Sequence, residues 1–147
     1  MNIGLYTITS PLHNQEAVEA ASAGFIKEIE NELDCRFDIK GADFGTYGQH
    51  DLDVIYVRTG GTEGIFKEVF PSLKGNIVLL TSGKSNSLAA SMEILSYLNR
   101  QGRRGEIIHG SITYIADRLR TLARVVSAAK RLDGSNLGVI GKPSDWL

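Results

Sequence analysis

Short apolar runs of strand length alternate along this chain with longer stretches in which apolar positions recur every three or four residues. Side chains repeat their direction every two residues in a strand and about every 3.6 in a helix. The alternation therefore predicts a wound α/β sheet. Strands are expected over Ile3–Ile8, Arg36–Lys40, Val54–Val57, Ile77–Leu80, Glu106–His109 and Leu137–Ile140. Val54–Val57 and Ile77–Leu80 are apolar without alternation, the mark of strands covered on both faces.

Three helices follow from spacing. Val18, Ala21, Phe25, Ile29 and Leu33 make one stripe, and Leu88, Met92, Leu95 and Leu98 a second. Ile112, Ile115, Leu119, Leu122, Val126 and Ala129 make a third. A shorter helix is expected from Glu63 to Phe70, stopped by Pro71. For the first helix, Pro11 and Asn14 are competing start signals. Gly41–Leu52 is glycine-rich and carries no helical period. The expected fold is α/β and flavodoxin-like: a doubly wound, mainly parallel sheet of five or six strands with helices on both faces.

Composition narrows the function. The 147 residues suit one α/β domain, read here as residues 1–147 without a dividing linker. The chain ends at Leu147 soon after its last expected strand, which suggests the amino-terminal domain of a longer protein. A formal charge of −1 argues against a nucleic-acid partner, which asks for a strongly basic face. Cys35 is the single cysteine, so no internal disulfide forms and a reducing, cytoplasmic setting is expected. The opening Met1-Asn2-Ile3-Gly4 has no basic region before an apolar run, and no apolar stretch is long enough for a membrane.

In a parallel sheet ligands gather beyond the carboxyl ends of the strands. Those ends carry Thr7, Thr9 and Ser10 with His13 and Asn14, then Thr59-Gly60-Gly61-Thr62-Glu63 and Thr81-Ser82-Gly83-Lys84-Ser85-Asn86-Ser87. His109-Gly110-Ser111 and Gly141–Trp146 complete the set. Glycines, hydroxyls and amides suit a neutral polyhydroxylated ligand, or a phosphate held by backbone N–H groups. The same residues are also what turns and caps require. Gly60-Gly61 lets backbone approach a ligand, and Thr62 is placed to cap the next helix.

Several chemistries are disfavoured. Gly60-Gly61 lacks the third glycine of a dinucleotide fingerprint, and a Walker loop ending in Gly83-Lys84-Ser85 would need a glycine where Val78 stands. Thr7 and Thr59 occupy the places where a phosphoacceptor receiver has acidic residues. No Gly-x-Ser-x-Gly elbow exists, and His13, His50 and His109 are too scattered to imply a metal site. For His109 and Lys84 a cap or a solvated loop is the plainer role, and a terminal Trp146 packs on a neighbour more often than on a sugar. Arg118, Arg120, Arg124, Lys130 and Arg131 lie off the apolar stripe of the last helix and read as a solvated face.

Three segments in order, Gly60–Glu63, Ser85–Leu95 and Gly138–Leu147, resemble the amino-terminal domain of L-fucose isomerase-like proteins, the family of fucose and arabinose isomerases. The resemblance covers essentially the whole chain. It implies an aldose–ketose isomerase that holds an open-chain neutral sugar on a divalent metal, commonly manganese, and moves a proton through an enediol. In that family the metal ligands lie in later domains, so no catalytic or metal residue is carried over and the chain alone is expected to be inactive. The resemblance does imply a share of substrate wall from Gly60, Gly61, Thr62, Ser82, Asn86, Ser87 and Trp146. It also implies partners in the remaining domains and in a homo-oligomer. Two rivals stand beside it: a flavodoxin-like module binding a mononucleotide or phosphate at Ser82–Ser87, and a structural domain whose last helix and Trp146 build an oligomer.

Overall fold

The computed structural model describes residues 1–136, Gly138, Ile140–Lys142 and Ser144. Its elements run β1 (Ile3–Ile8), α1 (Gln15–Leu33), β2 (Phe37–Gly41), β3 (Leu52–Val57), α2 (Glu63–Val69), β4 (Ile77–Leu80), α3 (Ser87–Arg100), β5 (Gly105–Ile108) and α4 (Ile112–Leu132). The five strands form one all-parallel sheet in the order β2-β1-β3-β4-β5. The fold is flavodoxin-like: the winding reverses between β1 and β3, and helices cover both faces. The strand expected at Leu137–Ile140 falls partly outside the described residues, since Leu137 and Val139 are not among them.

Alternation along each strand builds two cores. Ile3, Leu5, Val54, Tyr56, Val78, Leu80 and Ile108 face α1 and α4. Tyr6, Ile8, Ile55, Val57, Ile77 and Leu79 face α2 and α3. The central strands β1 and β4 are buried at every position. The edge strands are not, and Ile39 on β2 is 56% exposed. Burial on two faces is why the central runs show no alternation.

The structure decides the start of α1: Asn14 is its cap, accepting the Ala17 amide, and Pro11 lies outside the helix. The helical stripes are turned from their expected lines. On α3 the buried residues include Ala90, Ser91, Ile94 and Leu98, while Met92 is 61% exposed. Small Ala90 and Ser91 let the helix approach the sheet closely, a preference that ranking residues by apolar bulk misses. On α1, Ser22, Ile26, Ile29, Glu30 and Leu33 are buried, whereas Ala21 is exposed and Val18 and Phe25 only half-buried. Glu30 tolerates burial because its carboxylate accepts the Phe37 amide and an Arg36 N–H.

Of the basic residues of α4, Arg124 and Arg131 are exposed, as a solvated face requires, whereas Arg118, Arg120 and Lys130 make specific contacts. Arg118 forks onto Glu106 of β5, Arg120 donates to Asp117 and to the Glu32 carbonyl, and Lys130 donates to the His50 carbonyl. These contacts tie the helix to the elements beneath it.

Gly41–Leu52 crosses from β2 over β1 to β3 without an α-helix, holding only a 3₁₀ turn at Phe44–Thr46. Aromatic packing substitutes for one: Phe44 and Tyr47 lie 5.1 and 5.2 Å from the Tyr6 ring. The link ends in His50, 5% exposed, whose Nδ1 faces Asp53 at 2.6 Å and Nε2 faces Asp38 at 3.1 Å. Lys40 and His50 hold the Asp38 carboxyl below its usual range.

This network gives an alkaline signature. Burial, reinforced by the Asp53 charge, pushes the Tyr6 phenol up from 10.0 to about 12. The folded chain thus keeps the phenolic proton more tightly than the unfolded chain does. Stability is intact below the unfolded value near 10.0 and falls as pH rises toward 12. Tyr6 is the first group to contribute to that decline. Tyr47, raised for the same reason, adds to it at still higher pH. Urea midpoints collected across alkaline pH should fall less steeply in Tyr6→Phe; an unchanged slope would refute the assignment.

Candidate functional site

Two loops meet at the carboxyl edge of the sheet. The first follows β3 and the second follows β4. The Gly60 amide donates to the Ser85 carbonyl at 2.7 Å. A Cβ at Gly60 would stand 3.0 Å from Asn86 Cβ, so the closeness depends on glycine. Gly61 has φ +71° and faces Ser10, whose amide in turn donates to the Thr59 hydroxyl at 2.9 Å. The loops after β1, β3 and β4 are therefore stitched into one rim at the winding reversal.

The side chains of that rim divide into structural and available groups. Thr62 and Ser87 are fully buried. The Thr62 hydroxyl donates back to the Thr59 carbonyl at 3.2 Å, so Thr62 begins α2 by position without capping it through its side chain. The Thr81 hydroxyl donates to Ser87 Oγ at 2.7 Å, and Ser87 donates to the Lys84 carbonyl at 2.6 Å. These hydroxyls shape the loops. Gly60, Gly61, Ser82 and Asn86 remain at the surface. Ser85 and Asn86 both hold left-handed backbone, φ 52° and 59°, an unusual pair for side-chain-bearing residues. Trp146 lies outside the described residues. His109 Nδ1 lies 3.1 Å from the Thr81 carbonyl, which can only accept, so that nitrogen carries the proton and donates. The same ring covers Gly83.

Beside this rim, on the α1 face, lies a cleft of about 250 Å³. Its floor is apolar, formed by Val18, Phe25 and Tyr56, with the two rings 5.5 Å apart. Its rim carries His13, Arg58, Ser82, Lys84 and Ser85. A larger hollow of about 460 Å³ lies at the other end of the sheet, against Leu122, Val125 and Val126 of α4. The smaller cleft is the better candidate because its polar groups converge at the edge where parallel sheets bind ligands.

Phe25, Tyr56 and Arg58 are not among the site residues that the sequence points to. Arg58 is nevertheless accessible to alternation: Val54, Tyr56 and Arg58 are two apart, and the first two face α1. The first half of α1 leaves Val18 and Phe25 only half-covered because it faces this cleft.

Among the described residues no group of three His, Cys, Asp or Glu side chains is placed to hold a metal ion. The cleft presents Arg58 and Lys84, and a divalent metal does not fit against two cationic side chains. No helix of the described residues is long and apolar enough to cross a membrane. Comparison of the chain with protein-family models, with curated proteins and with solved structures yields no match.

Proposed function

We propose that this chain is the amino-terminal domain of an aldose–ketose isomerase of the fucose/arabinose type, contributing a wall of the sugar site and subunit contacts. The divalent metal, manganese in the family that the sequence resembles, would be held by residues of other domains. The observation that carries this reading is the union of the Gly60-Gly61 and Ser82–Asn86 turns, joined by the Gly60 amide and the Ser85 carbonyl at 2.7 Å. Together they offer backbone amides, carbonyls and the Ser82 and Asn86 side chains on one rim, and a polyhydroxylated ligand needs donors and acceptors in alternation. A Cβ at Gly60 would require Asn86 to give by a few tenths of an ångström, and a branched side chain there would press harder on the junction.

Two measurements test this. Titrating the chain with L-fucose, L-arabinose and their ketoses should shift the amide resonances of Gly60, Gly61, Ser82 and Asn86 saturably, and Gly60→Val should weaken that response at least about tenfold, a loss of about 1.4 kcal/mol. The product of the complete reading frame, supplied with manganese, should interconvert an aldose with its ketose. Failure to convert any deoxyhexose or pentose overturns the isomerase reading.

A further inference from the structure

Arg58 is the one cation of the cleft that is buried: its side chain is 10% exposed, whereas Lys84 stands in solvent. Its hydrogen bonds are unevenly used. Nη1 donates to Glu19 at 2.5 Å and Nη2 more weakly to the same carboxylate at 3.4 Å. Nε, fully shielded by protein, has no partner among the described residues. A guanidinium presents its donors as a planar fork suited to two oxygens of one anion; because Nε is closed to solvent, the donors a ligand can reach are the two Nη groups that Glu19 now holds. Glu19 itself is 67% exposed, held to Arg58 but otherwise in solvent. It is the counter-ion of Arg58 and stands beside the cleft rather than in its lining.

The rest of the rim adds one more cation and several hydrogen-bonding groups. Lys84 and His13 stand on the rim, the Ser82 and Ser85 hydroxyls join them, and α1 directs its amino terminus there. Below lie the Tyr56 and Phe25 rings, with the Arg58 guanidinium 5.9 Å from the Tyr56 centroid. A ligand matching this arrangement carries an oxyanion on a compact planar or apolar body.

We propose that the cleft between α1, the end of β3 and the β4–α3 loop is a binding site for a small oxyanion-bearing ligand, with Arg58 as its anchor and Glu19 as the internal competitor that the ligand displaces. The site does not rest on the isomerase reading: its anchor Arg58 and its aromatic floor on the α1 face are no part of the sugar wall, and the two share only the loop that bears Ser82 and Ser85.

The test uses three probes at constant ionic strength: inorganic phosphate, phenyl phosphate and benzoate. Saturable binding should appear with a shift of the Arg58 Nε–Hε resonance, and phenyl phosphate should bind about tenfold tighter than inorganic phosphate through the aromatic floor. Preference for phenyl phosphate identifies a phosphoryl ligand and preference for benzoate a carboxylate; either supports the site. Glu19→Gln should tighten binding by about three- to tenfold, because the competing carboxylate is gone. Glu16→Gln changes net charge equally on the same helix without touching Arg58, and should leave affinity within about twofold. Arg58→Lys keeps the charge but loses the fork, and should weaken binding about tenfold or more. Because Arg58 is buried, its variant can disturb folding; Glu19→Gln and Lys84→Gln, both at exposed positions, carry the test without that risk, and Lys84→Gln should weaken binding. No saturable binding by any probe, or equal responses of Glu19→Gln and Glu16→Gln, overturns the proposal. A sugar response at Gly60 with no anion response at Arg58 would defeat this site alone, and the reverse would defeat the isomerase reading alone.

Discussion

Gly4→Ala is expected to destabilise the fold by about 3 kcal/mol, the upper part of the range for overpacking a filled site. A Cβ at this position would lie 2.4 Å from His50 Nδ1 and 2.8 Å from Asp53 Oδ1. The register explains why there is no room. Gly4 pairs with Asp38 on β2 and with Asp53 on β3, so the two carboxylates flank it and the His50 ring lies across it between them. Neither neighbour can yield easily, because His50 is 5% exposed and its carbonyl is held by Lys130 of α4. Urea unfolding measures the cost. His50→Ala alone should also destabilise, yet the double variant should lose clearly less than the two single losses added, since removing the ring relieves the clash. A Gly4→Ala midpoint close to the parent's would show that the slot is not closed. The network sits toward the amino ends of β1 and β3, so the folded fraction of Gly4→Ala should keep its anion and sugar responses unchanged.

Phe66→Ala should cost about 3–5 kcal/mol and should do so with a local consequence at the candidate site. α2 is only 7 residues long, and Phe66 is its one buried residue. So short a helix has little stability of its own and is held by packing. Phe66 is wholly enclosed, with the rings of Phe70 and Tyr97 at 5.9 and 6.3 Å. Truncation leaves a cavity and frees α2, and with it the Gly60–Thr62 turn that leads into the helix. Hydrogen exchange should therefore quicken at the Gly60–Thr62 amides beyond what global destabilisation produces. Phe66→Leu, which fills most of the space, should lose under about 2 kcal/mol and keep that protection. Wild-type exchange at those amides in Phe66→Ala would show that the turn stands without α2.

Much of the architecture is legible in the chain. β1 and β4 run over Ile3–Ile8 and Ile77–Leu80 as the apolar runs indicate, and β2, β3 and β5 differ from expectation by one or two residues at their ends. The loops that bear Gly60 and Ser85 can likewise be placed beyond strand ends by counting. Less legible are the faces of α1 and α3. Their buried stripes include Ser22, Glu30, Ala90 and Ser91, whose burial follows from close helix–sheet approach and from hydrogen bonds supplied by Arg36 and Phe37. Arg58 is legible only in part: alternation from Val54 and Tyr56 gives its face but not its burial. Its position just past β3 makes it look like a solvent-facing loop residue, and only the passage of α1 above it makes it a buried cation.

By itself the sequence determined the order of strands and helices, the parallel winding and the edge on which glycines and hydroxyls collect. Those properties are written in periodicity and turn chemistry, which act over a few neighbouring residues. Tertiary structure alone decided that Gly4 would lie between Asp38 and Asp53 beneath His50, that Gly60 would hydrogen-bond Ser85, and that the Arg58 Nε would find no partner among the described residues. Each depends on which strands become neighbours and in what register, and therefore on burial and charge shared by residues far apart along the chain.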